Sequence, residues 1–173
     1  MPVSLPDAPR LVTDRLVLRP PVAQDFEAFA AYFMSPRARH TGGQADRILA
    51  WNRFCVTLGH WAFRGYGVFV IESQGMPIGA AGPFFPAGWP EPEIAWQLWD
   101  AQAEGHGFAQ EAAQATRAYA YETLGWTTAV SLIAAENVRS ASLAQRLGCK
   151  MDGVHAHPHF GALQVWRHPT KLD

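Results

Sequence analysis

Two short segments concentrate the chemistry available to this chain. The first is Trp99-Asp-Ala-Gln-Ala-Glu-Gly-His-Gly-Phe-Ala-Gln-Glu-Ala112. Glycines at 105 and 107 let a backbone approach a ligand closely, and the alanine-rich run behind them favours a helix. The first turn of a helix presents unpaired N–H groups and the positive end of the peptide dipole. The arrangement therefore suits a pyrophosphate. It lacks the Gly-Lys-Ser/Thr ending of a Walker loop and the third glycine of a dinucleotide fingerprint. Taken alone it also reads as a glycine-softened turn with no ligand. The second segment is Ala135-Glu-Asn-Val-Arg-Ser-Ala-Ser-Leu-Ala-Gln-Arg-Leu-Gly148. Asn137 offers a donor and an acceptor to an amide-bearing ligand, and Ser140 or Ser142 offers an O–H at a helix start. The same residues also serve as ordinary helix caps.

Weaker candidates surround these two. His155, His157 and His159 stand at period two, as metal ligands sharing a strand face would. Pro158 interrupts that regularity and only Asp152 is close by, so a pocket rim or an exposed loop is expected there, and no metal. His40 lies in a polar loop, where it is solvated or meets a substrate. Cys55 and Cys149 are too few for a disulfide framework or a four-thiolate zinc site. They are expected to be two buried free thiols in a reducing compartment.

The elements that must position these groups follow from periodicity. Leu11–Leu18 alternates as a strand and ends at Pro20-Pro21. Phe26, Phe29, Ala30 and Phe33 recur as one face of a helix that Ser35-Pro36 stops. A second helix is expected from about Ala45 to Phe63, with Ile48, Trp51, Cys55, Leu58 and Ala62 on one face. Gly67–Glu72 and Pro77–Gly82 form a hairpin. Pro83–Pro92, with four prolines and a glycine, is a long loop. Glu93–Trp99 is a strand, Gly105–Leu124 a helix capped by Gly125, Thr128–Ile133 a strand and Ser140–Leu147 a short helix. Strands near Met151–His157 and Ala162–His168 close the chain. The order β-α-α-β-β-β-α-β-α-β-β describes an α+β domain around a mostly antiparallel sheet flanked by helices.

Composition excludes several classes. The 173 residues are 49% hydrophobic and 17% charged, which is globular rather than disordered. Lys and Arg total 14 against 15 Asp and Glu, a net charge of −1, so a dedicated nucleic-acid binder is not expected. No run approaches the ~20 apolar residues of a membrane span. The start, with prolines at 2, 6 and 9, lacks the pattern of a signal peptide and reads as an extended lead-in over residues 1–9. Residues 10–173 form one domain, and the expected compartment is the cytoplasm.

Three blocks in series resemble the GCN5-related N-acetyltransferases, and more narrowly the branch that modifies ribosomal-protein N-termini: Thr13-Asp-Arg-Leu-Val-Leu-Arg19, Gly105-His-Gly-Phe-Ala-Gln-Glu-Ala112, and Asn137-x-x-Ser140 running on to Leu147-Gly148. The resemblance extends from about residue 10 to 168. It implies a V-shaped splay between the fourth and fifth strands, Glu93–Trp99 and Thr128–Ile133. It implies that the N–H groups of Gly105, His106, Gly107, Phe108 and Ala109 hold the pyrophosphate of acetyl-coenzyme A, that the backbone of Gln97, Leu98 and Trp99 pairs with its pantetheine like an added strand, and that Asn137 bonds the same arm. The implied reaction is acetyl transfer to a small-molecule amine or a peptide N-terminus, with a strand N–H near Leu98 or Trp99 as oxyanion donor. Glu93 would be the proton acceptor, directly or through water.

Two departures bear on that expectation. Where many relatives carry a tyrosine in the last helix, as acid for the leaving thiolate, this chain has Ala144, and Ser140 is the substitute. A non-catalytic acyl-coenzyme A-binding module on the same scaffold is the alternative that this leaves open. Glu104 precedes the loop glycine, where a carboxylate is unfavourable beside a pyrophosphate unless it is paired or turned away. Gln102 fits a Gln-x-x-Gly-x-Gly pattern, but out of register with the expected helix start. Trp61 and Trp89 line an acceptor groove or serve as packing. Glu91 and Asp46 stand nearly alone in the loops that would read the acceptor, which speaks against a polycation. A homodimer is a possible assembly.

Overall fold

The computed structural model describes residues 8–170, so the expected lead-in over 1–9 lies almost wholly outside the described residues. Among the described residues eight strands form one sheet: β1 Leu11–Val12, β2 Val17–Arg19, β3 Phe69–Ser73, β4 Met76–Phe84, β5 Glu93–Leu98, β6 Val130–Ala134, β7 Lys150–His157 and β8 Gly161–Arg167. Their spatial order is β1-β2-β3-β4-β5-β6-β8-β7. Every neighbouring pair is antiparallel except β5 and β6. Four α-helices of the described residues flank it: α1 Phe26–Phe33, α2 Arg47–Arg64, α3 Phe108–Glu122 and α4 Val138–Arg146. No helix among the described residues is long and apolar enough to cross a membrane.

Alternate residues of the inner strands face opposite helix layers. Val70 and Ala80 meet Phe26, Phe29, Phe33 and Phe54 of α1 and α2. Phe69, Ile71 and Ala81 meet Ala112 and Tyr119 of α3. Farther along, Ala113 of α3 packs with Leu143, Ala144 and Leu147 of α4 against Ile133 and Trp166.

Three expectations are corrected. The strand expected over Leu11–Leu18 is a hairpin of two strands, with Leu11 opposite Leu18. Thr13 closes the turn: its N–H donates to Leu16 O at 3.0 Å and its Oγ accepts from Leu16 N–H at 3.0 Å. The buried face of α2 is Ala50, Phe54, His60 and Trp61, not the stripe through Ile48, Trp51, Cys55 and Ala62. Ile48 is 74% exposed and Trp51 52%. Apolar residues ring α2, so two helical stripes sharing Leu58 fit its sequence; the phenylalanines of α1 select one of them. Cys55, on the other stripe, is exposed, while Cys149 is buried as expected.

The parallel pair is where the sheet opens. β5 and β6 pair only at Glu93 and Val130, with Val130 N–H donating to Pro92 O at 3.0 Å. Beyond that apex the strands diverge in the expected V, numbered between the fifth and sixth strands because the first is a hairpin.

Candidate active site

A groove of about 1010 Å³ occupies the divergence. One wall is the end of β5, with Trp96, Gln97 and Leu98. A second is the start of α3, with Gly105, Gly107, Phe108 and Ala109. A third is α4, with Asn137, Arg139, Ser140 and Leu143. Tyr32 of α1 and the connector between α1 and α2, with Arg37, Arg39 and His40, close it.

The cradle is built by backbone geometry. Gly105 and Gly107 have φ of 82° and 80°, the left-handed region in which a side chain is strained. Gly107 caps α3 and brings no side chain to its free donors. Glu111 N–H, bonded to Gly107 O at 3.0 Å, starts the helical ladder. The N–H groups of Phe108, Ala109 and Gln110 precede it without an intrahelical acceptor. His106 is exposed and lies outside the groove wall; its carbonyl accepts from Arg15 Nη1 at 2.9 Å.

The β5 edge alternates. Trp99 N–H donates to Ile78 O of β4, while Ile94 O turns to β6 and accepts from Ser131 Oγ at 2.6 Å. Antiparallel alternation then directs the backbone groups of Gln97 and Trp99 to β4 and those of Trp96 and Leu98 into the gap. Trp99 is itself buried against Phe29. Among the candidates on this strand, Leu98 thus presents backbone to the groove. Trp96, which sequence reasoning passed over, presents both backbone and ring. Arg37 was also missed: it donates to Leu98 O at 3.0 Å and to Trp99 O, from a loop with no signal beyond its polarity.

Asn137 and Ser140 stand together at the start of α4. Asn137 is the cap, its Oδ1 accepting from Ser140 N–H at 3.2 Å. Ser140 Oγ accepts from Trp96 Nε1 at 3.3 Å, which leaves its own hydrogen free to donate. Ala144, one turn on, is fully buried and does not reach the groove.

The acidic residue beside the cradle is neutralised. Glu104 accepts from Arg37 at 2.7 Å and from Arg139 at 2.5 Å. Burial works to raise its pKa, but those two bonds outweigh it and hold it below the usual carboxylate value. The ion pairs link the α1–α2 connector, the loop before α3 and the first turn of α4 across the groove mouth.

Glu93 sits at the apex, 7% exposed and outside the groove wall. It accepts from Trp89 Nε1 and from Leu132 N–H at 3.1 Å. Burial, opposed by those bonds, pushes its pKa up to about 7. Trp89 packs edge-on against Phe84 and His157. Trp61 donates to Val68 O inside the core, so neither tryptophan lines the groove. His157 is buried at the β7–β8 hairpin, its Nδ1 accepting from the N–H groups of His159 and Phe160. No group of three or more His, Cys, Asp or Glu among the described residues could hold a metal ion. Of the isolated acids, Glu91 pairs with Arg167 at 2.8 Å and Asp46 caps α2 through Leu49 N–H.

Comparison with known proteins matches residues 15–150 to the acetyltransferase (GNAT) domain family. An acetyltransferase from Agrobacterium tumefaciens is 37% identical, with a TM-score of 0.85 over 93% of this chain and 94% of that one. A GNAT-family acetyltransferase structure from Bordetella pertussis is 30% identical, with a TM-score of 0.77 over 93% and 99%. RimL, a ribosomal L7/L12 α-N-protein acetyltransferase solved with coenzyme A, is 16% identical and shares the fold, with a TM-score of 0.74 over 92% and 97%. The profile spans most of the chain, and two of these proteins reach 30% identity over nearly all of it; the chain belongs to the GNAT family and is an acetyltransferase.

Proposed function

We propose that this protein moves an acetyl group from acetyl-coenzyme A to a single primary amine, of a peptide N-terminus or a small molecule, by direct attack in a ternary complex. The observation that carries the reading is the groove itself. Free N–H groups at the start of α3, the β5 edge at Trp96 and Leu98 that no strand pairs, and the Ser140 hydroxyl all face one opening. The pyrophosphate meets the first, where small residues and the helix dipole favour an anion. The pantetheine adds to the second as a strand would, with the Asn137 amide as a further donor. The amine nitrogen forms a bond to the acetyl carbon and the carbon–sulfur bond breaks. Leu98 N–H is the oxyanion donor, and Ser140 O–H donates to the departing thiolate. Glu93, whose pKa near 7 suits a base at neutral pH, takes the ammonium proton through water, since it does not line the groove.

The acceptor is argued from charge. The groove carries Arg37, Arg39, His40, Arg139 and Arg146, and its only acid among the described residues, Glu104, is already paired with two of them. Glu91 and Asp46 are also committed elsewhere. A polycation such as an aminoglycoside finds no free carboxylate among the described residues of the groove, whereas one amine needs none.

Two measurements test the reading. Coenzyme A at 100 times its Kd should stabilise the fold by about 2.7 kcal/mol, read as a rise in Tm. A mass-spectrometric screen with acetyl-coenzyme A should find acetylated mono-amines or peptide N-termini ahead of aminoglycosides. No shift with coenzyme A removes the groove assignment, and preferred turnover of polyamines overturns the acceptor class.

A further inference from the structure

We propose that Arg15 is a positioning residue for the pyrophosphate cradle, acting through the orientation of one peptide plane. The proposal rests on the reading of the groove as the coenzyme A site. Arg15 lies in the turn between β1 and β2, behind the cradle and outside the groove wall. Its Nη1 donates to His106 O at 2.9 Å. In a planar trans peptide the C=O of one residue and the N–H of the next point in opposite directions. Drawing the His106 carbonyl back to Arg15 therefore turns the Gly107 N–H forward, away from Arg15.

The guanidinium is itself held in place. Its Nε donates to Glu111 Oε2 at 2.7 Å and its Nη2 pairs with the same oxygen at 2.6 Å. Thr13 Oγ and Arg15 N–H donate to Glu111 Oε1 at 2.6 and 3.1 Å. The Arg15 guanidinium also lies over the Phe108 ring, 4.8 Å from its centroid. A Cβ at Gly107 would meet Arg15 Nη2 at 3.5 Å, so the clamp seats directly against the loop. Glu111 is in the first turn of α3. A carboxylate there repels an incoming pyrophosphate, and the clamp sets a cation against it while using it as an anchor.

Charge and positioning predict different outcomes, which makes the proposal testable. Arg15→Lys keeps the charge, but one ammonium cannot bond His106 O while holding Glu111 through a planar fork. Glu111→Gln removes a negative charge near the cradle, which by charge alone would tighten coenzyme A. The Kd of coenzyme A, by calorimetry, and of pantetheine, by NMR titration, would be measured for wild type and both variants. Each variant should weaken coenzyme A about tenfold and leave pantetheine, which lacks the pyrophosphate, within twofold. Wild-type affinity in Arg15→Lys, tighter binding in Glu111→Gln, or equal loss for both ligands overturns the positioning role. Failure of wild type to bind coenzyme A overturns the groove reading, and this proposal with it.

Discussion

Ser140 and Asn137 divide two tasks at the start of α4. Asn137 caps α4, and Ser140 holds the indole of Trp96 while keeping its hydroxyl hydrogen available. Ser140→Ala therefore removes no cap. If the hydroxyl stabilises the departing thiolate, its bond strengthens in the transition state. The expected result is a 10- to 100-fold fall in kcat, for a donor worth roughly 1.4–2.7 kcal/mol, with little change in acetyl-coenzyme A affinity or Tm. Asn137→Ala should instead cost about 1 kcal/mol of stability through the lost cap and weaken coenzyme A binding. Measuring kcat, Kd and Tm on both variants separates the roles. An unchanged kcat in Ser140→Ala would leave that residue as a partner of Trp96 only.

At the scale of elements, α2 shows how a helix with apolar residues on all sides chooses its core face. Phe54 is 2% exposed and lies 5.2 Å from the Phe29 ring and 5.7 Å from the Phe26 ring. Ile48, on the stripe that sequence spacing favours, faces outward. Phe54→Ala should cost about 3–5 kcal/mol in denaturant unfolding, and Ile48→Ala at most about 0.5 kcal/mol. Comparable losses at the two positions would mean that α2 is rotated from the orientation described. The connector that follows α1 matters to the site for a related reason. Its Arg37 reaches both the end of β5 and Glu104, so the packing of α1 on α2 fixes where a groove-lining cation stands.

Across the whole molecule, buried titratable groups stitch the apex of the V, and they respond to pH in opposite senses. Glu93 joins β5 to Leu132 of β6. On the β8 side, His168 Nε2 lies 2.9 Å from Ser131 Oγ, which donates to Ile94 O; the imidazole is therefore the donor to the serine. Burial raises Glu93 from 4.5 to about 7. Its contribution to stability is thus complete below pH 4.5 and lost as pH rises through about 7. Burial, with the nearby Arg117 cation, lowers His168 from 6.5 to about 3. Its contribution is complete above pH 6.5 and lost as pH falls toward 3. Tm measured from pH 4 to 8 should show Glu93→Gln gaining on wild type as pH rises from 5 to 8. His168→Gln should gain on wild type as pH falls from 7 to 4. Curves parallel to wild type would mean that neither group titrates with unfolding.

The sequence by itself determined the order of elements, the glycine-softened entry to α3 and the Asn137–Ser140 junction, while the opening between Glu93–Trp99 and Thr128–Ile133 was implied by the family resemblance of its blocks. The first three are local properties: periods of 2 and 3.6, cap residues and left-handed glycines all act within a few positions. What the tertiary structure decided involves partners far apart in the chain. Glu104 looked incompatible with an anion site until Arg37, 67 residues away, and Arg139 neutralised it. Thr13 broke the expected first strand, and its hydroxyl meets Glu111, 98 residues away. Glu93 was legible as a strand carboxylate, but its place at the closed end of the V depends on where β6 returns and on Trp89 covering it. The face of α2 depended on which neighbour supplied the phenylalanines. A side chain's type is local, whereas its burial and its ion-pair partner depend on which distant elements the fold brings against it.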